Sequence, residues 1–130
     1  HTTASLLYLH TKGSSYGERF PVIDDWRNLL TYFTVERWQD CVHALASHDV
    51  VGCELLMEPA PHFSGNFWWA RAEHIARLGE VPGDNRHSAE FWLFSQGPVR
   101  TLSLHDSGVN HYEVRYPRDR YAADRYAAGR

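Results

Sequence analysis

Apolar residues in this chain come in short blocks whose spacing changes from block to block, and the changes mark out the elements. Ser5 to His10, SLLYLH, is a continuous apolar run stopped by the turn-forming KGSS of Lys12 to Ser15. Its length and lack of polar alternation predict an interior strand that delivers His10 to its carboxyl end. From Asp24 the period becomes helical: Trp26, Leu29, Leu30 and Phe33 fall at i, i+3, i+4 and i+7, with Asp24 or Asp25 available as N-cap. Thr34 is placed to cap a second helix, in which Val35, Trp38, Val42 and Leu45 continue the period to about Ser47. Asp49 to Leu56, DVVGCELL, reads as another buried strand, with Gly52 a bulge or a point of close approach.

Beyond Pro59 and Pro61, the aromatic run Asn66 to Ala70 predicts a strand, and Arg71 to Leu78 a short helix closed by Gly79. Residues 81–85 form a loop, and Ser88 can cap a short helix carrying Phe91, Trp92 and Phe94. Val99 to Leu104 is a last strand, followed by the loop HDSGVNH. The order β, α, α, β, β, α, α, β predicts an α/β domain with a mixed sheet and flanking helices over residues 1–116. DRYAA, repeated at Asp119 and Asp124, marks 117–130 as an exposed C-terminal tail.

Bulk properties narrow the class. A chain of 130 residues suits one domain, and 43% hydrophobic with 22% charged residues is ordinary for a water-soluble protein. No apolar run approaches the ~20 residues of a membrane span, and no secretory signal pattern is present, so the default location is cytoplasmic. The formal charge of −3 gives no reason to expect a nucleic-acid partner. Cys41 and Cys53 make no disulfide framework and read as small apolar residues. Lys12 stands out as the one lysine among arginines.

Four polar groups stand where strands should end. His10, Thr11, Lys12 and Gly13 follow the first strand, where a lysine and glycine-exposed backbone N–H groups can meet a phosphate, or simply form a solvated turn. In PHFSGN, His62, Ser64 and Asn66 can hydrogen-bond a sugar or phosphate, and Trp68 or Trp69 can stack on a ring. Adjacent tryptophans in a strand point to opposite faces, so one of them belongs to the core. Arg86, His87 and Glu90 surround the start of the short helix, where a carboxylate serves either the helix dipole or catalysis. His105, Asp106 and His111 offer metal-ligand types at a spacing that matches no established signature. The P-loop, dinucleotide, nucleophile-elbow and HExxH signatures are all missing.

The segments LLYLHTKG, DDWRNLLTYF, HFSGNFWWARAEHIARL and RHSAEFWL resemble a set of bacterial and viral glycosyltransferase-like proteins of surface polysaccharide synthesis, over roughly residues 5–116. The resemblance implies a GT-A-like fold and transfer of a sugar from a nucleotide-sugar donor to a glycan acceptor, with inversion. It implies Glu90 as the base that takes the acceptor hydroxyl's proton. His10, Thr11 and Lys12 would face the donor diphosphate, while His62, Ser64, Asn66, Trp69 and Arg86 would bind sugar or acceptor. His105 and His111 are the late histidines for a divalent cation, Mn²⁺ or Mg²⁺. The DxD motif that normally holds this cation is replaced by HTKG, which puts a metal requirement in doubt. Because the nucleotide-binding half of such a fold precedes the DxD strand, the chain is expected to be the acceptor-side part. Two other classes remain: a non-catalytic carbohydrate-binding or assembly module, and a metal-dependent hydrolase built on His105, Asp106 and His111.

Overall fold

A computed structural model of the protein describes residues 4–9, 21–80 and 90–122. The readings made for His10, Thr11, Lys12, Arg86, the 81–85 loop, the Ser88 cap and the tail from 123 onward lie outside those residues. The architecture is α/β. Strands β1 (Ser5–Tyr8), β2 (Val50–Gly52), β5 (Trp68–Arg71) and β6 (Thr101–Ser103) form a mixed sheet in the order β1-β5-β2-β6. β5 runs antiparallel to both its neighbours and β2 runs parallel to β6, so β1, β2 and β6 share one direction. Tyr8, Trp68, Gly52 and Ser103 therefore line up across one end of the sheet. A small antiparallel pair, β3 (Leu55–Leu56) with β4 (His62–Phe63), folds over that end.

The pleat sorts side chains between the two faces. Val50, Trp68 and Ala70 face a cluster with Phe63, Leu78 of α3 (Ala72–Leu78) and Leu93. Val51 and Trp69 face Cys41 and Leu45, on and just past α2 (Trp38–Ala44). The third cluster joins α1 (Pro21–Thr31) to the C-terminal segment through Trp26, Leu29, Leu30, Phe33, Tyr116 and Tyr121. Gly52 is the predicted point of close approach: a Cβ there would lie 2.8 Å from the Phe63 ring.

Several expectations change. β1 is an edge strand among the described residues rather than an interior one, with Leu6, Tyr8 and Leu9 39–48% exposed. α1 already includes Pro21, so neither Asp24 nor Asp25 is its N-cap. Asp25 is instead a buried helix residue that accepts hydrogen bonds from Arg115 Nε (2.6 Å) and the Tyr116 backbone (3.0 Å). Thr34 caps nothing, since its hydroxyl donates to Leu30 O within a π-helical turn, Tyr32–Glu36. That turn's wider winding shifts the phase, so Cys41 and Leu45 point inward while Val35 and Trp38 are exposed. The strand read at 49–56 breaks at Glu54, whose φ is +58°. Residues 117–122 are not a free tail: Tyr121 and Ala122 pack into the α1 cluster, and Arg118 pairs with Glu36. Both cysteines are free and buried, and burial pushes the Cys41 thiol up to about 12.

The parallel pair β2/β6 is pinned by one side chain. Buried Asp49 accepts from the Arg100 backbone N–H (2.9 Å) and from its guanidinium (2.9 Å), while Arg100 O accepts from Asp49 N–H at 2.7 Å. The Arg100 guanidinium, outweighing the opposing effect of burial, holds the Asp49 carboxyl at about 2 against an ordinary 3.8. A depressed folded value means that this stabilisation is present above the unfolded value and lost as pH falls through the folded one. Asp49→Asn should cost about 1–2 kcal/mol at neutral pH, discounted because the Arg100 side chain is 60% exposed. Denaturant unfolding of the variant should be flatter with pH between about 3.8 and about 2 than that of the parent. Identical slopes would rule out Asp49 as the source.

Candidate functional site

The end of the sheet where β1, β2 and β6 finish is where an open α/β sheet places its ligands, because loops diverge there and leave a crevice. Here the crevice is shaped by the turn that follows β4. Ser64 N–H donates to Glu54 O (2.9 Å), Gly65 takes φ +91°, and Asn66 follows at φ +62°. A side chain at Gly65 would meet Leu30 of α1 at 2.5 Å, so glycine is required both for the backbone and for the space. Asn66 is among the few residue types that tolerate a left-handed backbone. Its Oδ1 accepts from Trp68 Nε1 at 2.8 Å, which fixes the amide against the indole.

Asn66 and Trp68 line a cavity of about 230 Å³ together with Leu6, Leu7 and Tyr8 of β1, Ile75 of α3 and Trp92. The Tyr8 and Trp68 rings stack at 5.1 Å and form one aromatic wall. Trp92 comes from the helical turn at 90–92, which is held to α3 by buried His74, whose Nε2–H donates to Leu93 O at 2.8 Å. Glu90 belongs to that same turn, two residues before Trp92.

A second polar cluster occupies the neighbouring loop. Glu54 is buried, and its carboxylate accepts from His111 Nε2 (3.1 Å) and from Ser107 N–H (3.1 and 3.2 Å). Burial pushes this carboxyl up, but the His111 and Ser107 hydrogen bonds together bring it below the ordinary value. The His111 ring stacks on Trp26 at 5.5 Å. Ser107 Oγ lies 3.3 Å from the same His111 nitrogen that meets Glu54. A serine–histidine–acid relay needs the two ring nitrogens on different partners, so this cluster is a clasp between the β2–β3 link and the 105–116 loop.

The sequence-derived candidates thus separate. Asn66 lines the cavity. His62 lies beside it on β4, bonded through Nδ1 to Ala60 O (2.7 Å) and edge-on to Phe91 at 4.9 Å. Ser64 serves the turn. Trp69 is on the opposite face, its indole donating to Thr34 O at 2.7 Å. His105 is bonded to the Tyr116 hydroxyl (2.8 Å) and stacked on Phe33, and His111 is held by Glu54. Among the described residues no group of three or more His, Cys, Asp or Glu could hold a metal ion. The residues the sequence reading missed are Leu6, Leu7, Tyr8, Ile75, Trp92 and Glu54, while Trp68, named beside Trp69 as a stacking ring, was passed over for Trp69 as a sugar-site residue. The period-two rule reaches Trp68, because Asn66 and Trp68 are two apart and face the same way. An acid inside the apolar run VVGCELL was the signal for Glu54.

The architecture and cavity define a mixed α/β protein with a cavity alongside β1, the edge strand among the described residues. The chain belongs to a family described as a domain of unknown function (DUF8361), which matches residues 1–82. The matched stretch takes in every cavity residue except Trp92. No curated protein and no solved structure matches the chain.

If Glu54 clasps the loop, Glu54→Ala leaves His111 buried without its partner and should cost about 3 kcal/mol or more. Amide exchange at Ser107 and Val109 should speed up well beyond that at Val51. Uniform acceleration throughout the chain would instead mean that the cluster has no local role.

Proposed function

We propose that this chain acts as a GT-A-like glycosyltransferase, which transfers a sugar from a nucleotide donor to a glycan hydroxyl with inversion. The supporting observation is convergence. LLY of β1, the GNFWW turn and strand, and the EFW helical turn are far apart in sequence, yet all contribute to one cavity alongside β1. In the sequence His10, Thr11 and Lys12 come soon after that strand, and this reading gives them the donor diphosphate. A monosaccharide has an apolar face suited to the Tyr8–Trp68 wall and polar edges that a fixed amide such as Asn66 can orient.

In this reading Glu90 takes the proton of the acceptor hydroxyl as its oxygen forms the bond to the anomeric carbon and the nucleoside diphosphate leaves. Lys12 and His10 meet the developing diphosphate charge, and water is excluded by Trp68 and Trp92. The histidines proposed for a cation are committed to Tyr116 and Glu54, so no step is assigned to a metal. One observation favours the carbohydrate-binding alternative: among the described residues no acidic one lines the cavity itself.

Turnover assays with a panel of nucleotide sugars and glycan acceptors separate these readings. Acceptor-dependent release of nucleoside diphosphate is expected, and Glu90→Gln should lower kcat by roughly 10²- to 10⁴-fold while donor affinity stays unchanged. An unchanged kcat removes Glu90 from the mechanism. Glycan binding without diphosphate-dependent affinity or turnover establishes the binding module instead.

A further inference from the structure

The hydrogen-bonding equipment of the cavity is one-sided, which narrows the kind of sugar that fits. The side chains of Leu6, Leu7 and Ile75 carry no polar atom. Asn66 has its carbonyl oxygen committed to Trp68, so the amide NH₂ is what it can offer a ligand. Trp92 Nε1–H is buried and has no acceptor among the described residues, an arrangement that a folded protein seldom leaves uncompensated. Among the described residues the walls thus offer the Asn66 NH₂, a large apolar surface and the hydroxyl of half-exposed Tyr8, with the buried Trp92 N–H belonging to a residue that lines the same cavity. A plain hexose has hydroxyls around its ring, and one sealed against Leu6, Leu7 or Ile75 gives up water for nothing, at about tenfold in affinity.

We propose that the cavity takes the acetamido group of an N-acetylated sugar. Its carbonyl oxygen accepts from the Asn66 amide and the Trp92 indole, its methyl lies against Leu6, Leu7 and Ile75, and its N–H donates to the Tyr8 hydroxyl. This rests on the sugar-transfer reading and specifies the sugar class of the same site. An acetamide matches the cavity because it places one strong acceptor next to a methyl group, the inverse of two donors next to a leucine wall.

The test is an NMR titration of the chain with matched pairs of methyl glycosides, N-acetylglucosamine against glucose and N-acetylgalactosamine against galactose. The acetamido member of at least one pair should bind about tenfold or more tightly. Asn66→Asp keeps an oxygen for the Trp68 indole and tolerates the positive φ, but has no NH₂ to donate. It should reduce that difference to within about twofold with the melting temperature little changed, and Trp92→Phe, which keeps a ring but loses the N–H, should act the same way. Equal affinities within both pairs, or a preference that survives in both variants, overturns the acetamido proposal and leaves sugar transfer standing. Failure of all four glycosides and of every nucleotide sugar to bind overturns both.

Discussion

The structure depends on a contact that only glycine permits. Gly52, at the carboxyl end of the central strand β2, lets the Phe63 ring lie directly on the sheet at a distance where any Cβ would collide. That contact brings β4 across the end of the sheet and sets the start of the Ser64–Gly65–Asn66 turn. The turn then has two further constraints: Glu54 O receives Ser64 N–H, and Gly65 presses against Leu30. Together they fix Asn66 in its left-handed conformation, with its amide against Trp68. The cavity thus follows from packing on the sheet, and its polar group is positioned by backbone geometry before any ligand arrives.

Around this feature the fold separates rigid support from an open rim. Asp49 and Arg100 tie β2 to β6 at the end away from the site, and Glu54 and His111 tie the β2–β3 link to the C-terminal loop at the near end. Both ties are built from buried acids, which remain charged because their partners satisfy them. Between these ties the edge strand β1 keeps Leu6 and Tyr8 half-exposed and contributes them to the cavity wall. Helix α3 reaches the same cavity through Ile75, and His74 secures the 90–92 turn that brings Trp92 opposite.

Much of the fold was legible in the sequence, because hydrophobic period encodes it directly. The strands at 5–8, 50–52, 68–71 and 101–103 and the helices at 21–31 and 72–78 all lie within or across the predicted stretches. Gly52 announced a close approach as a lone glycine in an apolar run. What the pattern could not encode was set by tertiary choices. An apolar run reads the same on a sheet edge that lines a cavity as in the interior, so β1 was misplaced. The π-helical turn after Thr31 rephased α2 without any proline or glycine to mark it. For the site, Asn66 was identified but joined with Trp69, although alternation puts Trp68 on its side. Glu54 went unnoticed because its partners, Ser107 and His111, lie more than fifty residues away.

The central claim is that three distant segments form a single sugar-binding cavity beside β1. The indole N–H resonances of the five tryptophans report on it together, because they sample different parts of the fold. On adding a nucleotide sugar with its glycan acceptor to the ¹⁵N-labelled protein, the Trp68 and Trp92 signals should shift in parallel and saturate with one affinity. Those of Trp69, on the opposite face, and of exposed Trp38 should stay in place. Shifts at Trp38 or Trp69 with none at Trp68 and Trp92 would contradict the assignment of this cavity as the binding site.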